Sequence, residues 1–355
     1  MKKSVIIYLF IALLISTLGV FLSTVFTVRE PNEYKDLQLE ASYRTQEAME
    51  YLKDIILENG IDIEMEDLNQ TGLLGPEFTE LTSTPGNLGA KRTSLNPNFA
   101  ALLIKWYMDI GLKPGDKIAI GTSGSFPGLV ISTLVSAHVM GLDVEVIASL
   151  GASMHGATRV DFNIFDIMKN LKEGGYADFD LLAVSPGGNN DNGGSTLEGV
   201  IFFGTKELAL DLCNEVGVEV ICYDDITQSI KRRLELYSDD IKLFINIGGA
   251  SPNCGTSSYT LNFPGGLVLD PPRIPMTDNR GLNYEYAARG IPIINLLNVR
   301  GLCDDYGIAY DPVPMENIGS SGVYSKTTMN KWILSISLII SISFVIVAYL
   351  KGRKK

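Results

Sequence analysis

Four short segments hold most of the side chains able to do chemistry. They are GTSGSFPG at Gly121–Gly128, LGASMHGAT at Leu150–Thr158, SPGGNNDNGGS at Ser185–Ser195 and GGASPNCGTS at Gly248–Ser257. Each combines glycine with hydroxyl residues and little bulk. That offers backbone N–H donors and close approach to an anionic or amide-bearing ligand. Gly121, Gly124, Gly151, Gly188 and Gly249 are therefore candidate ligand-binding positions. Ser123 and Ser125 are candidate nucleophiles, and His155, in a loop of small residues, is their candidate base. Such a pair would permit acyl transfer, with loop amides as an oxyanion hole. Asp191 or Asp161 could orient the histidine, and the spacing selects neither.

Several alternatives stand beside this reading. GTSGSFPG lacks the Lys-Ser/Thr ending of a phosphate-binding P-loop and does not match Gly-x-Gly-x-x-Gly. It is not Gly-x-Ser-x-Gly either, because Ser125 occupies the final glycine position. Its glycines could serve only a tight strand-to-helix turn, with Ser125 as N-cap before Phe126 and Pro127. His138 follows Leu134 by four residues and Ile131 by seven, which places it on an apolar helix face as a core histidine. NNDNGG lacks the alternating acids and terminal glutamate of a calcium loop. No metal site and no cofactor are expected. Arg273, Arg280 and Arg289 could grip carboxylates, or pair locally with Asp270, Asp278 and Glu285. Lys91 and Arg92 invite the same two readings.

The elements that must position these loops alternate in type. Lys117–Gly121, Asp143–Ser149, Leu181–Ser185, Val218–Tyr223 and Lys242–Ile247 read as short apolar strands. Helical stretches near 127–140, 161–171, 206–216 and 225–238 separate them, the last opened by an Asp225/Gln228 capping box. This alternation implies an α/β fold with a Rossmann-like, doubly wound, mostly parallel sheet. In such sheets ligands bind at the carboxyl ends of the strands, where all four loops fall. Upstream, 37–59 has helical spacing suited to a stalk or a packed helix, and 72–96 reads as irregular. Asn96 and Pro97 then open a helix that stops at Gly111.

At the chain ends lie two apolar runs without charge, Ser4–Thr27 and Trp332–Leu350. Both approach the ~20 residues that cross a bilayer as helix. Lys2 and Lys3 precede the first, while Lys351, Arg353, Lys354 and Lys355 follow the second. The positive-inside rule then places residues 1–3 and 351–355 in the cytoplasm and 28–330 outside it. Within that outer part, 28–96 reads as lead-in and 97–330 as core. The first run is longer than a signal-peptide core and no small-x-small site follows Thr27, so it reads as an anchor.

Seven basic and no acidic residues lie outside Val28–Asn330, so that body carries −19 of a chain total of −12. Such a body has no footprint for nucleic acid. Cys213, Cys222, Cys254 and Cys303 show no Cys-x-x-Cys spacing and suit either disulfides or buried thiols.

Two terminal apolar helices combine with TGLLGPEFTELTSTPGNLGAKRTSLNPNFAALLIKWY, IAIGTSGSFPGL and SLGASMHGATRVDF. In this combination the chain resembles the poly-gamma-glutamate system protein family. The resemblance implies a process: membrane-bound machinery that makes and exports poly-gamma-glutamate, with membrane proteins of that complex as partners. It implies no reaction and carries over no catalytic residue. Because the polymer is itself anionic, a −19 body would repel it unless the three arginines line a local slot. Three functions follow as expectations. One is a non-enzymatic accessory component of capsule-type polymer export. Another is an extracytoplasmic serine-type hydrolase or transferase acting on gamma-glutamyl amides. The third is a binding protein for a small anionic ligand.

Overall fold

The computed structural model describes residues 3–194, 206–257, 262–271 and 273–353. Lys2, Ser195, Lys354 and Lys355, named above, lie outside them. The chain forms two compact units, Asp36–Val323 and the joined ends Met1–Lys35 with Tyr324–Lys355.

The body is a mixed α/β unit built on a seven-stranded, mostly parallel sheet. Its strands are β1 (Lys117–Ser123), β2 (Asp143–Ser149), β3 (Asp180–Ser185), β4 (Glu219–Val220), β5 (Leu243–Ile247), β6 (Gly266–Val268) and β7 (Ile293–Leu296). They lie in the order β4-β3-β2-β1-β5-β7-β6, and only β6 runs antiparallel to its neighbour. The first four strands step one way from β1, whereas β5 and β7 lie on its other side. β1 and β2 pair in step from Lys117↔Asp143 to Ser123↔Ser149, which brings Ser123 and Ser149 level at the carboxyl edge.

Residues of β1, β2 and β5 are buried almost without interruption, so both faces of the sheet centre are covered. Continuous apolar runs are what such strands require. Ile118, Ile120, Ile245 and Ile247 are fully buried, each contributing about 1.5–3 kcal/mol on leaving water. A second cluster gathers Tyr237, Phe244 and Tyr286, with Phe244 stacked on Tyr286 at 4.7 Å and the Tyr237 hydroxyl donating to Ile120 O at 2.7 Å.

Some boundaries depart from the sequence reading. The segment 218–223 gives only the two-residue β4, extended by the buried Ile221, whose N–H donates to Val184 O at 2.8 Å. Asp225 caps its helix (Ile226–Leu236) through the N–H and hydroxyl of Thr227 rather than in a box with Gln228. The helix Lys35–Glu58 is a packed one, burying Ala41, Ala48, Leu52 and Ile56. The stretch 72–96 contains a strand, Thr82–Thr84, paired with Ala152–Ser153, and a helix, Leu88–Ser94, capped by Asn87. All four cysteines are free thiols, and burial pushes the Cys213 thiol up to about 12.

In the other unit, helices Lys3–Val25 and Lys331–Arg353 are long and apolar enough to cross a membrane. They meet along small residues. The Ser16 hydroxyl donates to Ser341 Oγ at 2.9 Å, Ser341 Oγ donates to Ala12 O at 3.1 Å, and Gly19 leaves the room that Ser337 fills. Small residues let helix backbones approach where lipid offers no hydrophobic drive. Strands Val28–Pro31 and Ser325–Thr328 pair antiparallel just beyond them.

Candidate functional site

A cleft of about 470 Å³ opens over the carboxyl edge of the sheet, beside β1, where the strand order reverses. Loops diverging at such a point leave a crevice. Each of the four Gly/Ser loops contributes to its wall: Ser123, Ser125 and Phe126; Gly151 and Ser153; Gly187 and Gly188; Gly249 and Ser251. Opposite them stand Leu297, Asn298 and Arg300 after β7, with Tyr310.

Among the described residues lining the cleft there are two cations, Lys91 and Arg300, and no carboxylate. That bias runs against a body carrying −19. Arg300 is exposed at the mouth, its guanidinium 3.7 Å over the Tyr310 ring. Tyr310 is itself fixed, donating its hydroxyl to Asn87 Oδ1 at 2.9 Å. Asn298 caps the helix Val299–Tyr306, so the positive end of that helix adds to the local field.

Lys91 is only 2% exposed. Its Nζ donates to the Ser125 carbonyl and lies 2.5 Å from Ser153 Oγ, with the Phe126 ring 4.0 Å away. No carboxylate pairs with it among the described residues, and burial pushes its ammonium down to about 7. Its neighbour Arg92 turns the other way and grips Asp311 with two bonds of 2.7 and 2.6 Å. One member of the basic pair is thus structural, and the other reaches the cleft.

The serines form a connected row. Ser125 N–H donates weakly to Ser123 Oγ at 3.4 Å, and Ser153 N–H donates to Ser125 Oγ at 3.2 Å. Under the floor, Asp191 accepts from Ser149, Ser185, Ser229 and the buried Arg233 at 2.7–3.2 Å. Asp191 therefore anchors the 185–194 loop and is not placed to orient a histidine.

His155 makes no hydrogen bond to the serines among the described residues. Its backbone sits at φ +60°, its N–H donates to Pro76 O at 3.3 Å, and its buried Nδ1 has no partner among the described residues. It neither lines the cleft nor bonds Ser123 or Ser125. Asp161 is exposed, and His138 is only half-buried in the last turn of its helix.

The candidate glycines divide. Gly151, Gly188 and Gly249 line the cleft. Gly188 needs φ +72°, and a Cβ on Gly151 would come within 2.8 Å of Gly188 N. Gly121 and Gly124 do not reach the cleft. A Cβ on Gly121 would lie 2.6 Å from the Asn253 amide, and one on Gly124 would lie 2.9 Å from Leu150 O. Those two glycines serve packing. Arg280 is bound to Glu285 at 2.6 and 3.1 Å, Arg273 is exposed, Arg289 lies over Tyr286, and none of the three lines the cleft.

The arrangement defines an α/β protein with an anion-favouring, hydroxyl-rich cleft at the ligand edge of a parallel sheet. Comparison with known families gives no match, and comparison with curated proteins gives none either.

Proposed function

We propose that this chain is a two-pass membrane protein whose Rossmann-like, doubly wound body stands outside the cytoplasm. There it serves poly-gamma-glutamate synthesis and export by binding a carboxylate-bearing ligand of gamma-glutamyl type. The observation that carries the binding step is the pairing of two cations with no lining carboxylate, in a body of strongly negative charge. A general polyanion surface would show basic residues spread over one face. Here two cations meet in one slot that no carboxylate lines among the described residues, which suits a short segment or chain end rather than a long polymer track.

Membrane insertion is supported by the two apolar helices and by the basic residues Lys351 and Arg353 in the last turn of the second. The polymer system is supported by the family resemblance of the sequence segments. The slot envisaged for the three arginines is supplied instead by Lys91 and Arg300. Membrane proteins of the synthesis complex are the partners this reading expects along the terminal helices.

Titration calorimetry of the full-length protein in detergent micelles with a gamma-glutamyl tripeptide tests the reading. Saturable binding is expected. Arg300→Ala should weaken it about 10- to 100-fold, the scale of one lost charged hydrogen bond. Arg273→Ala and Arg280→Ala should leave it unchanged. Absence of saturable heat, or equal losses at all three arginines, would remove the cleft from the function.

A further inference from the structure

We propose that Lys91 and Ser153 form a base and nucleophile that cleave or transfer the amide of a carboxylate-bearing ligand; this rests on the carboxylate-binding reading of the cleft. Ser153 Oγ is the hydroxyl that lies 2.5 Å from Lys91 Nζ. Its main chain is held on both sides, by strand pairing with Thr82–Thr84 and by the bond from its N–H to Ser125 Oγ. Ser125 Oγ and Ser123 Oγ each accept a backbone N–H, and neither has a basic side chain within hydrogen-bond distance among the described residues. Ser153 is the member of the row with a base in contact.

Lys91 is suited to the base role by what surrounds it. A neutral amine can donate one N–H to the Ser125 carbonyl and still turn its lone pair to the Ser153 hydroxyl. With no carboxylate to hold the proton, and with burial lowering the ammonium to about 7, the neutral form is accessible near neutral pH. Across the cleft, the N–H groups of Gly249, Ala250 and Ser251 donate to no acceptor among the described residues. Successive free amides of this kind stabilise a developing oxyanion. Arg300 at the mouth would hold the carboxylate of the ligand.

The step balances without a cofactor. Ser153 Oγ bonds to the carbonyl carbon as its proton passes to Lys91 Nζ, and the carbonyl oxygen becomes an oxyanion. The C–N bond then breaks as Nζ returns that proton to the leaving nitrogen, leaving an ester on Ser153. Water or an amine attacks the ester and gives its proton to Nζ. The ester C–O bond breaks and Ser153 regains a proton from Nζ. Water gives hydrolysis, and an amine gives transfer.

The full-length protein in micelles is incubated with gamma-glutamyl-p-nitroanilide and, separately, with a neutral sulfonyl fluoride followed by peptide mass spectrometry. Release of nitroaniline and sulfonylation at Ser153 are expected. Ser153→Ala should lower release by at least about 100-fold, as should Lys91→Arg, which fits a cation but cannot serve as base. Ser153→Ala should keep tripeptide binding within about threefold, because Arg300 and the loop amides remain. If Lys91→Arg fails to fold, labelling of the wild type and release by Ser153→Ala still decide. Tripeptide binding with neither release nor labelling would overturn this proposal and leave the carboxylate reading standing. Release undiminished in Ser153→Ala would overturn it as well. No binding at all would remove both.

Discussion

Two buried cations lie beneath the carboxyl edge of one sheet, and their surroundings differ completely. Arg233, fully buried, faces Asp191 at 2.8 Å and shares the Ser149 and Ser185 hydroxyls with it. Lys91, buried to the same degree, has one carbonyl, one hydroxyl and one aromatic face. A charge that serves folding is neutralised where it is buried, because desolvation otherwise disfavours it by several kcal/mol. A charge without a counter-ion at a cleft wall is held ready for a ligand or gives up its proton. Arg233 therefore belongs to the scaffold, and Lys91 to the chemistry.

The widest separation between them should appear in stability. Asp191→Asn strips the counter-charge from Arg233 and should cost about 3–5 kcal/mol, the scale for breaking a buried pair from one side. Lys91→Met removes a buried cation that has no pair. It leaves the Ser125 carbonyl and Ser153 hydroxyl short of a donor, a loss of about 1–3 kcal/mol set against the relief of desolvation. Its net effect should be near zero. Denaturant unfolding of both variants in the same micelles measures the gap; equal losses would erase the distinction between the two cations.

A smaller contrast concerns the glycines. A Cβ on Gly121 would press on Asn253, whose amide donates to Asn246 at 3.0 Å, while Asn246 in turn donates to Asn295 at 2.8 Å. Gly121→Ala should cost about 1–3 kcal/mol by overpacking, with binding per folded molecule unchanged. A Cβ on Gly249 would meet only Leu297, at 3.9 Å. Gly249→Ala should therefore change stability by less than about 0.5 kcal/mol and weaken tripeptide binding severalfold by narrowing the wall. Thermal melts paired with titrations separate the two.

The sheet was legible because its strands are buried on both faces, and continuous runs such as KIAIG and DVEVIAS follow from that burial. The four glycine loops were legible for the same reason: a parallel strand must turn sharply at its carboxyl end. Lys91 stood out only as half of a basic pair, able to grip a carboxylate or to pair locally, and its helix was not legible, because LGAKRTS buries Lys91, Thr93 and Ser94 and has no apolar stripe. Arg300 and Tyr310 join the cleft through β7 and the helix Val299–Tyr306 that follows it, and β7 is a strand of only four residues. Arg273 and Arg280 drew notice in an acidic background, and of the two readings given for Arg280 the structure shows the local pair with Glu285. His155 had the right residue type and loop, but it bonds neither Ser123 nor Ser125 among the described residues and does not line the cleft.

The finest test of the two cations is by pH, since burial pushes the Lys91 ammonium down to about 7. The folded state releases the Lys91 proton at about 7, whereas the unfolded chain holds it to the ordinary lysine value near 10.5. Between those limits the unfolded state binds more protons, so stability of the wild type relative to Lys91→Met should rise with pH and level off outside the window. Two readouts of the cleft should then move in opposite directions as pH climbs through 7. Tripeptide affinity should fall by about tenfold or less as a positive charge leaves the wall. Sulfonylation of Ser153 should accelerate as the free amine appears. Lys91→Arg should abolish both trends, holding affinity level and labelling low. Parallel rather than opposed trends would assign the titration to another group and return Lys91 to the scaffold beside Arg233.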